Sequence, residues 1–349
     1  MKLLLYLFSS AFILVGSCAQ TKHSVKIEEL KSNIKIEDSS LVVKYANTIT
    51  AKEMDKTIHE FASKEFLGRE AGEIGQRKAA EYIKNFYINN DIKSPIKNNQ
   101  YFQHISKEFF EGIIKKDSEN VLAFIEGKEK PEEVIVISAH LDHLGVEDEE
   151  IYYGADDNGS GTSALMEIAQ AFKAAESDGF KPKRSILFLH VTAEENGLYG
   201  SRYYIKNPVF PLENTVCDLN IDMIGRVDAM HKDNKNYIYL IGADKLSTEL
   251  HYISESVNKK YYNINLDYTY NDENDRSRFY YRSDHYNFAK NNIPVIFYFN
   301  GTHEDYHLPT DTADKIDYDL LALRSKLIFA TAWQLANQEQ RIVADKAEL

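Results

Sequence analysis

The sequence predicts an α/β protein whose mostly parallel, mixed sheet is flanked by helices on both faces, a three-layer αβα architecture. Short apolar runs alternate along the chain with patterns of helical period. The runs are almost continuously hydrophobic, as expected for strands that are covered on both faces. Acidic and histidine residues directly follow several of these runs. About 300 residues beyond the N-terminal segment suffice for one large domain.

Six apolar runs are predicted to be strands, because each is short and rich in β-branched and aromatic residues. In chain order they are Asn120–Ile125, Val134–Ser138, Ser185–Val191, Val216–Met223, Tyr237–Ile241 and Val295–Phe299.

Helices are predicted between and around these runs. After Gly161, apolar residues recur at the spacing of one buried helical face, at Leu165, Ile168, Ala169 and Phe172. Residues 320–336 repeat this pattern as a closing helix, and residues 53–90 are predicted to be helical upstream of the sheet.

The N-terminal segment is typical of an export signal. Lys2 precedes an apolar run, Leu3–Val15, that is too short to span a bilayer. The run ends in Val15-Gly-Ser-Cys18, which resembles the lipobox of bacterial lipoproteins, so we expect residues 1–17 to be a signal peptide and Cys18 to carry lipid. Residues 18–45 are then a polar linker and 46–349 a single domain. An apolar helix of the fold is the alternative interpretation of residues 1–17.

Two bulk properties limit the function. With Cys18 lipidated, Cys217 is the sole remaining thiol, so no intrachain disulfide is expected. The formal net charge of −13 and the lack of a basic stripe argue against nucleic acid as a partner. The membrane that holds the lipid is an expected partner, and the oligomeric state is not predicted.

Polar residues at strand ends indicate where the site lies. His140 and Asp142 follow the second predicted strand, and Glu194 and Glu195 follow the third. Asp222 closes the fourth, and His307 follows the last strand after a short loop. Ligands bind beyond the carboxyl ends of strands in open α/β sheets, so these side chains are expected to converge.

Four of these side chains, together with Asp156, form a predicted metal-ligand set without a thiolate: His140, Asp156, Glu195, Asp222 and His307. Imidazole and carboxylate donors suit catalytic zinc. Two ions about 3.5 to 4 Å apart require a shared carboxylate, with one His and one further carboxylate for each ion. Asp156 is the expected bridge. Glu194 is then free to accept a proton from an attacking water molecule as general base.

Five ordered motifs make this interpretation specific. They are Ala139-His-Leu-Asp-His143, Gly154-Ala-Asp-Asp-Asn158, Ala193-Glu-Glu-Asn196, Asn220-Ile-Asp222 and Tyr306-His307. Together they resemble the M28 family of zinc aminopeptidases over about residues 66–316. The resemblance implies a zinc-exopeptidase-like fold and two zinc ions per chain.

Roles for individual residues follow from this resemblance. It implies that His140 and Asp222 bind one zinc, Glu195 and His307 the other, and Asp156 both. Asp142 would orient His140 and Asp311 would orient His307. A cis peptide bond is implied between Asp156 and Asp157, with Asp157 beside the ligands rather than among them. Tyr306 would donate a hydrogen bond to the oxyanion.

Three functions remain open on this basis. The first is an exported aminopeptidase, lipid-anchored in a bacterial cell envelope, that acts on peptides with a free N-terminus. The ligand set alone does not distinguish it from a carboxypeptidase or a dipeptidase. The others are a single-zinc glutaminyl cyclase and a peptide-binding lipoprotein without activity.

Several other polar residues have no predicted role in the site. They are His143, His190, His285 and His303. Ser283 and Asp284 fit either a helix cap or the pocket, and residues 271–275 are predicted to form an acidic turn.

Overall fold

A computed structural model describes residues 27–36 and 39–347 of the chain. The chain divides into two compact units at residues 36 and 37. Within the first unit, residues 27–33 form helix α1. The predicted signal peptide and Cys18 lie outside the described residues. Among the residues that are described, no helix is both long and apolar enough to cross a membrane.

The second unit is built on an eight-stranded mixed sheet. Its strands are β1 (Phe102–Ile105), β2 (Ser118–Ile125), β3 (Lys130–His140), β6 (Arg184–Val191), β7 (Thr215–Ile221), β8 (Tyr237–Ile241), β9 (Asn265–Asp267) and β10 (Val295–Phe299), and a separate two-stranded hairpin contains β4 (Val146–Glu147) and β5 (Glu150–Ile151). The spatial order is β1-β2-β6-β3-β7-β10-β8-β9. The central strands β6, β3, β7 and β10 are mutually parallel. The pairs β1-β2, β2-β6 and β8-β10 are antiparallel, and β9 pairs parallel with β8.

Helices cover both faces of this sheet. They are α2 (Ser39–Ala46), α3 (Ala51–Phe61), α4 (Ile74–Asn89), α5 (Gly161–Ser177), α6 (Tyr199–Lys206), α7 (Thr248–Tyr261), α8 (His285–Ala289) and α9 (Tyr318–Asn337). On one face, Phe172 of α5 packs against Phe188 of β6 and Phe329 of α9. The alternate β6 residues Leu187 and Leu189 belong to a core cluster with residues of α6 and α8. The predicted three-layer αβα class is therefore confirmed.

The domain begins earlier than the linker prediction allows. Residues 39–46, which the sequence predicts as the end of a polar linker, form α2. Val42 and Tyr45 are buried, and the Tyr45 ring stacks on Trp333 of α9 with ring centroids 5.8 Å apart. Two apolar side chains three positions apart are enough to anchor one helical turn on the core.

The single helical region predicted for residues 53–90 is two helices, α3 and α4, with a short 3-10 segment, Lys64–Arg69, between them. Leu67 and Gly68 adopt left-handed backbone conformations there, which a continuous helix does not tolerate. The turn places the buried Arg69 side chain against the end of β3. Its guanidinium donates hydrogen bonds to the carbonyl oxygens of Leu141, Tyr153 and Gly154 at 3.0, 2.7 and 2.8 Å.

Candidate metal centre

The carboxyl ends of the parallel strands position the candidate site. His140 is the last residue of β3, and Glu194 and Glu195 follow β6. Asp222 directly follows β7, and His307 lies in the loop after β10. Because these strands run in the same direction, the structure brings together residues up to 167 positions apart, as the strand-end pattern predicts.

His140 is at the centre of a first group of buried donors. Its Nε2 atom lies 3.3 Å from Oδ1 of Asp157 and 3.3 Å from Oδ1 of Asp222. The Ser283 hydroxyl donates to Oδ2 of Asp222 at 2.6 Å, which fixes the orientation of that carboxylate. His140, Asp157 and Asp222 can offer one donor atom each to a single cation.

A second group shares Asp157 with the first. Nε2 of His307 lies 3.1 Å from Oδ2 of Asp157 and 3.1 Å from Oε2 of Glu195. Nδ1 of His143 lies 2.8 Å from Oε1 of Glu195 and 3.9 Å from Oδ2 of Asp157. His143, Asp157 and Glu195 can likewise converge on one cation. The two oxygens of Asp157 therefore face different groups.

This geometry does not fit the bridging position expected for Asp156. The Asp156 carboxylate points away from both groups, where Oδ2 lies 3.1 Å from Nε2 of His303 and Oδ1 accepts a hydrogen bond from the Gly225 amide at 2.7 Å. The next residue, Asp157, takes the shared position. The sequence interpretation was one residue off because both aspartates of the Asp-Asp pair have the required chemistry.

The loop that carries Asp157 also differs from the expectation in two respects. The cis peptide bond lies between Asp157 and Asn158, not between Asp156 and Asp157. Asp311, which was expected to orient His307, instead accepts hydrogen bonds from the backbone amides of Asp156 and Asp157 at 3.0 and 3.1 Å. Asp311 thus holds the loop rather than the imidazole.

A glycine permits the close approach of this loop to His143. Gly154 has a φ of +57°, and a Cβ atom there would lie 2.6 Å from the His143 ring and 2.3 Å from the Asp157 carbonyl oxygen. Any side chain at this position would displace one of the two groups of donors.

Asp142 lies behind both groups, near the place that the sequence predicts. Its Oδ1 atom is 3.8 Å from Nδ1 of His140. Its two oxygens accept hydrogen bonds from the backbone amides of Glu194 and Glu195 at 3.2 and 3.4 Å. One buried carboxylate therefore connects the end of β3 with the turn after β6, and burial raises its pKa to about 6.

The electrostatics of the site favour cations. Burial alone would lower the pKa of His307, but Asp157 and Glu195 outweigh it and raise the pKa to about 10. Burial would raise the pKa of Asp157, yet its contacts with His140 and His307 bring it well below the usual range. Carboxylates held ionised at this density in the interior require compensating positive charge. The oxygen and nitrogen donors, without a thiolate, fit zinc.

Glu194 and Tyr306 line the pocket that opens onto these donors. Burial, together with Glu195 and Asp222 and against the opposing effect of His140, raises the pKa of Glu194 well above its ordinary value. The Tyr306 ring stacks on His307, with ring centroids 3.9 Å apart. Its hydroxyl has no hydrogen-bond partner among residues 27–36 and 39–347. Both side chains are thus open to a ligand.

Sequence reasoning missed the buried contacts of His143 and His303. His143 ends the motif that contains His140, and His303 lies four residues before His307. This proximity in sequence was the signal that could have found them. His190 is a core histidine, as its apolar strand predicts, with Nε2 2.8 Å from the Tyr87 hydroxyl. The His285 ring stacks on Phe297. Ser283 contacts the site through Asp222, whereas the Asp284 side chain makes no capping hydrogen bond to α8.

Comparison with known proteins agrees with this architecture. The sequence profile of Peptidase family M28 matches residues 120–332. Among curated proteins, the chain is 37% identical over 105 residues to the probable glutamate carboxypeptidase LAMP1 of Arabidopsis thaliana, which is 30% of this chain and 14% of that protein. It is 26% identical over 232 residues to aminopeptidase YwaD of Bacillus subtilis (strain 168), which is 64% of this chain and 46% of that protein. The chain thus spans less than half the length of either relative.

A solved structure shares the fold. LapB from Legionella pneumophila superposes with a TM-score of 0.69 at 22% sequence identity, over 88% of this chain and 77% of that chain.

Proposed function

Because this chain belongs to peptidase family M28, we propose that it is an aminopeptidase with two zinc ions, which removes N-terminal residues from peptides. The proposed ligands are His140 and Asp222 for one ion, Glu195 and His307 for the other, and Asp157 for both. Glu194 is the proposed general base.

The shared position of Asp157 carries this proposal. One of its oxygens faces His140 at 3.3 Å and the other faces His307 at 3.1 Å. A carboxylate between two groups of His and carboxylate donors is what a pair of ions requires. Zinc bound there would polarise the scissile carbonyl and lower the pKa of a water molecule.

Side chains of the protein transfer the proton, stabilise the oxyanion and fix the position of the general base. Glu194 has no ligand role in this assignment, and its raised pKa suits a carboxylate that accepts a proton and returns it to the leaving amine. The free hydroxyl of Tyr306 can donate to the developing oxyanion. Asp142 holds the backbone of Glu194 and Glu195, so that the base and a ligand keep a fixed separation.

Metal analysis and a substrate panel test this function together. We expect about two zinc ions per chain and release of free amino acid from aminoacyl amides. Glu194→Gln should retain the zinc and lower kcat by about 100-fold or more. Unchanged turnover in this variant would refute the role of Glu194, and turnover without metal would refute the proposal as a whole.

The same measurements address the alternatives. One zinc per chain and formation of pyroglutamate from N-terminal glutamine would favour a glutaminyl cyclase. Tight peptide binding without turnover in the zinc-loaded protein would favour a binding lipoprotein. N-blocked and free dipeptides in the panel separate an aminopeptidase from a carboxypeptidase and a dipeptidase.

We also propose that the protein is exported and anchored in a bacterial cell envelope by lipid on Cys18. The support is the apolar run Leu3–Val15 and the residues that lead into Cys18. Mass spectrometry of the mature N-terminus should find a diacylated Cys18, and Cys18→Ala should shift the protein from the membrane fraction to the soluble fraction. An unmodified Met1 in the membrane fraction would contradict the anchor.

A further inference from the structure

The pocket above the clustered donors has apolar walls. Met223, Phe279, Phe297 and Phe299 line it and belong to one buried cluster of side chains. Phe279 is 8% exposed and the other three less, so this wall is set by the core. The aliphatic part of a substrate side chain can pack on these rings.

Arg282 is the one arginine or lysine among the lining residues of this pocket. Its guanidinium carbon lies 4.9 Å from the centroid of the Phe279 ring, which forms part of the wall. Within residues 27–36 and 39–347, no hydrogen bond or ion pair to this guanidinium is found. The residue is exposed, so the charge faces the pocket mouth without a protein anion.

The backbone holds Arg282 next to the candidate metal centre. The following residue, Ser283, donates its hydroxyl to Asp222 at 2.6 Å. The Arg282 amide donates to the Phe279 carbonyl oxygen at 3.0 Å, which closes the short turn before α8. The backbone of Arg282 is therefore fixed one residue from Ser283, whose hydroxyl contacts the proposed zinc ligand Asp222.

Another arginine near the site is used differently. Arg226 lies 2.9 Å from Oδ2 of Asp305, a carboxylate that also accepts from Lys315. Nη2 of Arg226 is therefore held in a structural ion pair, whereas the Arg282 guanidinium has no such pair and can donate to a ligand in the pocket. A guanidinium presents paired donors that match the two oxygens of a carboxylate.

We propose that Arg282 binds a carboxylate of the substrate within one residue of the scissile bond, so that the enzyme prefers anionic substrates. The inference rests on the proposed peptidase function and names its substrate class. The carboxylate belongs either to the side chain of an N-terminal glutamate, whose methylene groups pack on the Phe wall, or to the C-terminus of a dipeptide. Both sources present the same chemistry to the guanidinium.

Isosteric substrates test this preference. We measure kcat and KM for glutamyl and glutaminyl amides, and for Leu-Gly and its C-terminal amide, with the wild-type zinc enzyme and with Arg282→Gln. Arg282→Gln removes a charge-assisted pair. It should therefore lower the kcat/KM for the carboxylate substrate relative to its amide by about 10- to 100-fold, mainly through KM. Arg278→Gln is the matched control, because Arg278 is exposed in the same segment, contacts Tyr281 and lies outside this pocket.

The two carboxylate sources give different results. If Arg282→Gln changes the kcat/KM ratio only for the glutamyl and glutaminyl amides, Arg282 binds the substrate side chain. If it changes the ratio only for Leu-Gly and its amide, Arg282 binds the C-terminus. Either result supports the proposal. Ratios that Arg282→Gln leaves unchanged, or that Arg278→Gln changes equally, overturn it.

A binding measurement separates this inference from the proposed function. Calorimetry of L-glutamate and L-glutamine with the zinc-loaded protein needs no turnover. Tighter binding of glutamate that disappears in Arg282→Gln supports the carboxylate site even if no peptide is hydrolysed. If the two amino acids bind equally to the wild-type protein and Arg282→Gln also leaves the ratio for the dipeptide pair unchanged, the proposal is overturned, even if aminopeptidase activity is found.

Discussion

Nδ1 of His143 lies 2.8 Å from Oε1 of Glu195, and both atoms belong to the interior of the domain. The His143 side chain is fully buried, and its Nε2 atom has no hydrogen-bond partner within the described part of the chain. His143 therefore holds one carboxylate oxygen of Glu195, a proposed zinc ligand whose other oxygen faces His307.

Replacement of His143 should weaken one zinc site. In His143→Ala, Glu195 loses this contact, and we expect the affinity for one of the two ions to fall by about 10- to 100-fold. Titration with a zinc chelator measures both affinities. His104→Ala is the control, because His104 is exposed on β1. Two unchanged affinities in His143→Ala would contradict a positioning role.

The neighbouring aspartates should differ in their effects. Asp157→Asn should lose most of both zinc ions after dialysis, because the shared carboxylate faces both groups of donors. Asp156→Asn should retain them and be less stable, since Asp156 holds the Gly225 amide and His303. Metal content and thermal unfolding measure the two effects. The reverse pattern of metal loss would restore Asp156 as the bridge.

Loss of the Tyr306 hydroxyl should slow turnover without loss of metal. We expect Tyr306→Phe to lower kcat by about 100-fold with little change in KM, because an oxyanion donor acts in the transition state. Tyr281→Phe serves as the control, since Tyr281 is 44% exposed and lines a different cavity. If the two variants have the same kcat, Tyr306 only packs against His307.

Glu167 should make the domain less stable as pH rises. It is 3% exposed in α5, and burial, with a smaller effect of Glu53, raises its pKa to about 8. Between the unfolded pKa, about 4.3, and this value the folded state binds more protons than the unfolded state, so stability decreases as pH increases through this window.

A variant isolates this dependence. From pH 5 to 9, wild type should lose about 2 to 5 kcal/mol more of its unfolding free energy than Glu167→Gln. Urea unfolding at each pH measures the difference between the two proteins, in which contributions from the metal site cancel. Parallel pH profiles would show that Glu167 is ionised in the folded protein.

The sheet and the strand-end residues could be predicted because each depends on a local pattern. Tyr237–Ile241 and Val295–Phe299 are strands with the predicted bounds. A strand buried on both faces is a continuous hydrophobic run, and it ends where the sequence changes to polar residues. His140, Glu195, Asp222 and His307 converge for the same reason: parallel strands share one carboxyl edge.

Other features depend on contacts that the sequence does not display. Asp156 and Asp157 are chemically identical, and only the loop conformation decides which one faces the imidazoles. The contacts of Asp311 with two backbone amides join residues about 150 positions apart. Arg282 follows a tyrosine-rich segment, and nothing local indicates that its charge reaches the metal pocket.

The position of Arg69 has a consequence for the smallest working version of this protein. The segment that matches the family profile begins at residue 120, but the guanidinium that ties Leu141 to Gly154 comes from upstream of it, between α3 and α4. A protein shortened to that segment would lack Arg69 and therefore its hydrogen bonds to Leu141 and to Gly154, where the loop that carries Asp157 begins. The segment from α3 to α4 that carries Arg69 is therefore needed to support the candidate site, and its removal should abolish metal binding although every proposed ligand remains.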